Sequence, residues 1–375
     1  MNENSTKISI LTFWGVPNYG AFAQAYALNR KIKEMFPEYE VEHIGYLSSE
    51  HKRSYFEKKK PIIRLLGKPN QVIFYKSIYW YFISLFRYYR EPQPDYRLFK
   101  SAWNSIPNIH IDSAKKLEEH KWDTIVTGSD CIWQFSTESF GHDEHLIGKN
   151  LWNNKLVAYA CSFGNQNENI PDFVADQLLK YDWVSIRDTF SENLVKSLTD
   201  GQRKTSLVLD PTLIYDFKSD SNIVPYRNDG KKYILVYGDV FPRPRVREIR
   251  EYAKKHELQT IGVGKAPQWC DIVMKEVHPF EWIGMFQHAE FVFTNTFHGM
   301  MFCLIYNKVF YFQQEPYVKN RSAYILELLG LDKLFLSKDF NIQKMFTYDW
   351  DYKTINAILE EKRRKSISFL YEALR

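Results

Sequence analysis

Cysteine is scarce: Cys131, Cys161, Cys270 and Cys303 are widely spaced and form no CxxC pair. A disulfide framework is therefore not expected, and a reducing cytosol is the default compartment. No apolar run of about 18 residues occurs, so no spanning helix is expected. The opening MNENSTKISILTFWG lacks a basic n-region and an apolar h-region, so no secretory leader is expected either. Neither GxGxxG nor GxxxxGK[ST] occurs, which argues against a dinucleotide or P-loop nucleotide site; Gly262-Val263-Gly264 alone does not restore one. GxSxG is also missing, and no Cys–His pair stands out for hydrolase chemistry. Charge of one sign is nearly balanced, with 50 Lys+Arg against 45 Asp+Glu. The surplus of +5 does not by itself indicate nucleic-acid binding, but it suits an anionic small molecule or membrane surface.

What is present is an ordinary enzyme composition, 45% apolar and 25% charged, in 375 residues, enough for about two domains. Ile8–Trp14 reads as a strand, followed by the turn Gly15-Val16-Pro17-Asn18. A helical face of Ala21, Ala25, Leu28, Ile32 and Met35 comes next. Strands are expected at 41–46, 122–127, 156–160, 183–186 and 207–209, with helices near 172–181 and 189–199. Residues 216–231, polar with Pro and Gly, read as a linker. The alternation then restarts with strands at 233–237, 260–263, 291–294 and 309–312. Helices are expected near 244–256, 280–289, 299–306 and 322–329, and a charged helix at about 350–374. Short buried strands alternating with helices predict parallel α/β sheets in two domains; two Rossmann-like domains with a terminal helix fit a GT-B-like arrangement with a cleft between them, which periodicity alone does not establish.

The stretch 48–100 departs from this pattern. It carries Lys58, Lys59 and Lys60 and the aromatic run 72–90, VIFYKSIYWYFISLFRYYR. It reads either as a helical insertion packed on the first domain or as a basic, aromatic segment lying on the inner face of a membrane.

Chemistry-bearing residues gather at strand ends. Asn18, Tyr19 and Gly20 join a strand to a helix, offering either an anion or sugar-hydroxyl site or a tight turn. Ser129 and Asp130 end the strand WDTIV, where Asp130 is a general base or a helix N-cap. Arg187 ends another strand as an anion clamp or as the ion-pair partner of Asp188 or Asp210. Asn295-Thr296-Phe297-His298-Gly299 lies between EFVFT and the apolar helix MMFCLIYN. This puts His298 at a helix start facing the cleft, as general acid or hydrogen-bond donor, with Gly299 allowing close ligand approach. Lys319 and Arg321 add positive charge to the same half. His142 and His145 have metal-like spacing, but no third ligand group is evident and no metal is expected.

Seven segments occur in an order that resembles the polysaccharide pyruvyl transferases. They are NYGAFAQAYAL (18–28), VTGSDCIW (126–133), YACSFG (159–164), SIRDTFSENL (185–194), LDPTLI (209–214), TNTFHGMMF (294–302) and NRSAYILELLGL (320–331). The resemblance implies transfer of pyruvate from phosphoenolpyruvate to two hydroxyls of a sugar, giving a cyclic ketal and phosphate, with no cofactor. It implies a sugar acceptor in a polysaccharide precursor, in some cases polyprenyl-linked, and no nucleic-acid partner. It also implies a division into an acceptor-side domain at 1–215, with the insertion at about 48–115, a donor-side domain at 230–345 and a terminal helix in 346–375. His298 and Gly299 match the family's Arg-Leu-His-Gly type motif, whereas Thr296 stands at its arginine position. The anion clamp then falls to Arg321 and Arg187, with Lys319 behind them. Asp130 would take the hydroxyl proton. Two other functions fit the same architecture, a nucleotide-sugar glycosyltransferase and a non-catalytic glycan-binding relative.

Overall fold

The computed structural model describes residues 6–57, 81–83, 85–86, 96–135, 143–166, 168–238, 241–264, 268–335 and 342–375. Two parallel sheets organise them. The first contains β1 (Lys7–Leu11), β2 (Glu40–Tyr46), β3 (Asn108–Ile111), β4 (Lys121–Asp130), β5 (Trp152–Cys161), β6 (Trp183–Ile186) and β7 (Ser206–Leu207), in the order β3-β2-β1-β4-β5-β6-β7. The second contains β8 (Tyr233–Tyr237), β9 (Gln259–Val263), β10 (Ile272–Met274), β11 (Phe291–Thr294) and β12 (Phe310–Phe312), in the order β10-β9-β8-β11-β12.

Both sheets reverse direction of growth at their first strand, the doubly wound pattern. The switch lies between β1 and β4 in one, where Ile10 pairs with Val126, and between β8 and β11 in the other, where Val236 pairs with Phe293. Ligands of such sheets bind beyond the carboxyl ends of the strands at that point. The loops placed there are Thr12–Asn18, Ser129–Cys131 and Asn295–His298, the ends of the strands singled out by sequence.

Each half is sealed by residues that cannot face water. The helix Tyr19–Met35 begins at Asn18, whose side chain accepts from the Gly20 and Ala21 amides, and it buries nearly every residue of its first three turns. Sequence patterning misses β3 and β10. Both are short edge strands, and neither is a fully buried run: β3 is partly exposed along NIHI and β10 is half-buried throughout. Edge strands lose the continuous apolar signature of a central parallel strand.

The chain passes between the halves twice. Residues 216–231 run from the first sheet to the second, anchored where Tyr26 and Tyr215 donate to Asp220 at 2.7 and 2.8 Å. The helix Tyr352–Leu374 then returns to the first sheet. Its Arg363 donates to the Leu213 carbonyl at 2.8 Å, its Ser366 hydroxyl accepts from the Leu209 amide at 2.9 Å, and Lys155 reaches the Arg375 carbonyl at 3.0 Å.

Helices Ser49–Phe56 and Arg97–Asn104 flank the basic aromatic stretch. Residues 58–80, 84 and 87–95 lie outside the described residues, and with them most of the segment expected at a membrane surface. No helix among the described residues is long and apolar enough to cross a membrane. His142 also lies outside the described residues, which contain no cluster of three or more metal-ligating side chains.

His145 is instead held between two carboxylates, Asp143 at 2.6 Å and Glu118 at 2.9 Å. Burial works against its charge, but hydrogen bonds to Asp143 and Glu118 prevail and raise its pKa to about 9. A raised folded-state pKa gives stability that is complete below the ordinary histidine value of 6.5 and fades as pH rises through about 9. Urea unfolding at pH 6 and pH 9.5 should show the wild type losing about 2 kcal/mol over that interval. His145→Gln should start lower and lose much less. An unchanged slope in the variant would assign the loss to other groups.

Candidate active site

Four strand-end segments, three from the first sheet and one from the second, bring charged side chains to one buried point. Arg187, at the end of β6, donates from one terminal nitrogen to Asp130 and from the other to Asp210, each at 2.6 Å. All three side chains are almost fully buried. The guanidinium also lies 4.6 Å from the centre of the Phe297 ring, which belongs to the second half.

Asp130 ends β4 with φ +84, a left-handed backbone that a residue with a Cβ adopts at a cost of order 1–3 kcal/mol. Its neighbour Ser129 is clamped on both sides, its carbonyl accepting from Thr12 at 3.0 Å and its amide donating to Gln24 at 3.1 Å. The Ser129 hydroxyl reaches Asp210 at 3.3 Å. Asp210 follows β7 and caps the short helix Pro211–Ile214 through Thr212. Burial alone would raise both carboxyl pKa values. The charges of Arg187, His298 and Arg321 outweigh it at Asp130, and the nearby His298 together with Arg187 and the Thr212 hydrogen bonds outweigh it at Asp210. Both are held far below the usual carboxylate range.

The second half contributes His298 and Arg321. Thr296 caps the helix Phe297–Ile305 by accepting from the Gly299 amide at 3.0 Å, so the residue at the family's arginine position has a structural task here. His298 sits in the first turn with Nε2 3.8 Å from Asp210, an ion-pair separation beyond hydrogen-bond reach. Arg321, in the helix Lys319–Leu328, donates to the Cys131 sulfur at 3.2 Å and to the Tyr317 carbonyl at 2.8 Å, and stands 4.0 Å from Asp130. Burial pushes the Cys131 thiol up to about 12, so the sulfur meets Arg321 as a neutral, weak acceptor. The Nε atoms of Arg187 and Arg321 and Nε2 of His298 are buried without a hydrogen-bond partner among the described residues.

Sequence-level candidates divide accordingly. Asp130, Arg187, His298 and Arg321 converge, with Ser129 joined through Asp210. Asn18, Tyr19 and Gly20 do not form an anion site, because the Asn18 side chain already takes the Gly20 and Ala21 amides at 2.9 and 3.2 Å. Tyr19 is buried against Trp282 and exchanges hydrogen bonds with both backbone groups of Val277. Gly20 is a seat for the imidazole, since a Cβ there would lie 2.1 Å from His298 Nδ1. Gly299 leaves no opening for a ligand: a Cβ would lie 2.3 Å from the Thr294 hydroxyl. Asn295 packs against Gly238, and Lys319 is exposed. Asp130, pinned by Arg187 and strongly acidic, is a poor proton acceptor and holds the arginine instead. Sequence reading missed Gln24, Thr12 and Cys131, and Asp210 entered it only as an ion-pair partner. Their roles exist only once separate strand ends meet.

Removing one carboxylate from a buried guanidinium leaves an undercompensated charge. Asp130→Asn should therefore destabilise the chain by about 3–5 kcal/mol, read from the shift of its urea unfolding midpoint. A change below about 1 kcal/mol, the level of a surface ion pair, would contradict the role assigned to this contact.

Similar proteins bear on this arrangement. A search of curated proteins finds no match. Among solved structures, one assigned as a UDP-N-acetylglucosamine 2-epimerase from Listeria monocytogenes is 10% identical, covers 95% of this chain and 91% of its own, and superposes with a TM-score of 0.51. An Escherichia coli heptosyltransferase bound to ADP is 10% identical over 84% of this chain and 89% of its own, with a TM-score of 0.39. The UDP-GlcNAc 2-epimerase of Methanocaldococcus jannaschii is 11% identical over 95% and 99%, with a TM-score of 0.45. The first likeness supports the fold, two Rossmann-like halves in a GT-B-like arrangement. A sequence model of the polysaccharide pyruvyl transferases matches residues 18–312, covering every strand of both sheets except β1 and every charged member of the buried cluster except Arg321. By that match the chain belongs to the polysaccharide pyruvyl transferase family.

Proposed function

We propose that this transferase takes pyruvate from phosphoenolpyruvate and sets it as a cyclic ketal on two hydroxyls of a sugar in a polysaccharide precursor. The supporting observation is the convergence of Arg187, Arg321 and His298 from both halves, each keeping a buried nitrogen without a partner. An unpaired buried donor costs about 1–3 kcal/mol, which a bound anion would offset. In this reading the two guanidinium edges hold the donor's carboxylate and phosphate, while Asp130 and Asp210 fix Arg187. His298, beside Asp210, gives a proton to the methylene carbon, and the electrophilic C2 that results is attacked by a sugar hydroxyl. The imidazole, now neutral, accepts that hydroxyl's proton. The second hydroxyl displaces phosphate and closes the ketal, its proton leaving with the phosphate as hydrogen phosphate. No step calls on a metal or a nicotinamide. The acceptor is proposed to be lipid-linked, with the 52–90 segment near the inner membrane leaflet.

Incubation with phosphoenolpyruvate and defined sugar acceptors should release phosphate and yield an acceptor carrying one pyruvyl group. Release of nucleoside diphosphate from a nucleotide sugar, without phosphate from phosphoenolpyruvate, would point to a glycosyltransferase instead.

Three substitutions test the assignments. His298→Ala should lower kcat by about 10²–10⁴ with the fold retained by circular dichroism, and activity within about threefold of wild type would exclude proton transfer by this ring. Arg321→Ala should weaken donor binding by about 1.5–3 kcal/mol while sparing acceptor binding. Gly20→Ala, which must displace the imidazole, should lower kcat more than it raises the donor KM.

A further inference from the structure

We infer that the second half carries a separate groove for an extended anionic saccharide, formed between the helix Arg243–Lys255 and the β9–β10 edge of the sheet. The connection from β9 to β10 spans only residues 264–271, too short for a usual crossover helix. Beside this edge is a groove of about 750 Å³. Arg243, Arg247, Arg250 and Lys254 line one side, and Trp269 and Phe241 contribute aromatic surface.

The four cations are spaced by four, three and four residues, so they form one stripe along the helix, about 16 Å long. Only Arg247 in that stripe is paired, with Glu251 at 2.8 Å. Arg243, Arg250 and Lys254 have no ion pair among the described residues. The other acid on the groove, Asp271, is engaged by the amide and hydroxyl of Thr260 at 2.8 Å. A row of like charges at this spacing opposes helix formation, and a polyanion laid along it removes that penalty. Trp269 is half-buried and leaves part of an apolar ring face on the groove, while its buried Nε1 has no hydrogen-bond partner among the described residues. Such a face suits a sugar ring with hydroxyls better than a bare ion.

Phe241 connects the groove to the central strands of the second sheet: it lines the groove and packs on Phe293 at 4.4 Å. A Cβ at Gly238 would strike both Phe241 and Asn295, and Asn295 precedes the cap of the His298 helix. A single phosphate would need one of these cations, not a row, and a flat membrane surface would not enter a groove.

The choice of a saccharide rests on the family's polysaccharide substrate and not on the donor reading, so binding is measured on the full chain without phosphoenolpyruvate. Titration calorimetry with oligogalacturonate should show binding that weakens with added salt, and neutral maltohexaose should bind far less. The Arg250→Gln, Lys254→Gln double variant, which keeps good helix formers, should weaken oligogalacturonate binding by about tenfold. Trp269→Ala should weaken it as well, with the helical circular-dichroism signal unchanged. Equal affinity in folded variants, equal binding of maltohexaose, or no binding of oligogalacturonate would overturn the inference. So would binding only to anionic vesicles or to a single-stranded oligonucleotide. Phosphate release from phosphoenolpyruvate, assayed separately, reports on the donor reading and can fail while this groove still binds.

Discussion

A guanidinium taken wholly out of water is tolerable only if opposite charge meets it at hydrogen-bond distance, and Arg187 meets two carboxylates at 2.6 Å. Those carboxylates come from the ends of β4 and β7, so the contact ties three strand ends of one sheet together. Asp130 accepts a left-handed backbone to reach it, and Asp210 reaches it while capping the next helix. Desolvating three charges is expensive, and a well-packed apolar substitute is often as stable. Stability alone therefore does not account for three buried charges at the carboxyl ends of a parallel sheet.

The second half meets this cluster through few residues with distinct tasks. Phe297 covers the guanidinium face, His298 occupies the space left by Gly20, and Arg321 uses the weak thiol acceptor of Cys131. Because the sulfur is neutral and a poor acceptor, Arg321 is held in place without its charge being cancelled there. Its nearest carboxylate, Asp130, stands at 4.0 Å and already serves Arg187. The two arginines therefore differ: Arg187 is neutralised by its own sheet, and Arg321 is the less compensated cation at the boundary.

Much of this was legible in the sequence because parallel α/β sheets place loops predictably. Central strands such as β8 and β11 are short, apolar and fully or nearly buried, and the loops after them carry Gly238 and His298. The ends of β4 and β6 gave Asp130 and Arg187 in the same way. The sequence could not show what those side chains would touch. Gly20 reads as part of an anion or sugar-hydroxyl site, or of a tight turn, until His298, 278 positions away, fills the space beside it. Asp210 reads in the sequence only as an ion-pair partner of Arg187, which it is; that its other oxygen caps the helix Pro211–Ile214 shows only in the fold, where β6 and β7 are neighbours. Thr296 similarly marks a departure from the family motif, and its hydroxyl is engaged in capping.

The double passage of the chain between the halves limits how a bulky acceptor can reach the cluster. Linker 216–231 and the start of the helix at Tyr352 tether the second sheet to the first at two points. Two tethers oppose sliding and wholesale separation more than rotation about the line joining them. Access would then resemble the opening of a hinged lid, with the C-terminal helix remaining on the first sheet. Among the described residues such a rotation must release the hydrogen bonds of Tyr19 with Val277, Asn165 with the Pro316 carbonyl at 2.6 Å, Asn320 with the Gly164 carbonyl at 3.4 Å and Arg321 with the Cys131 sulfur, and the longer ion pairs of His298 with Asp210 and Arg321 with Asp130. The ion pairs of Arg187 lie entirely on one side of the hinge and stay formed throughout.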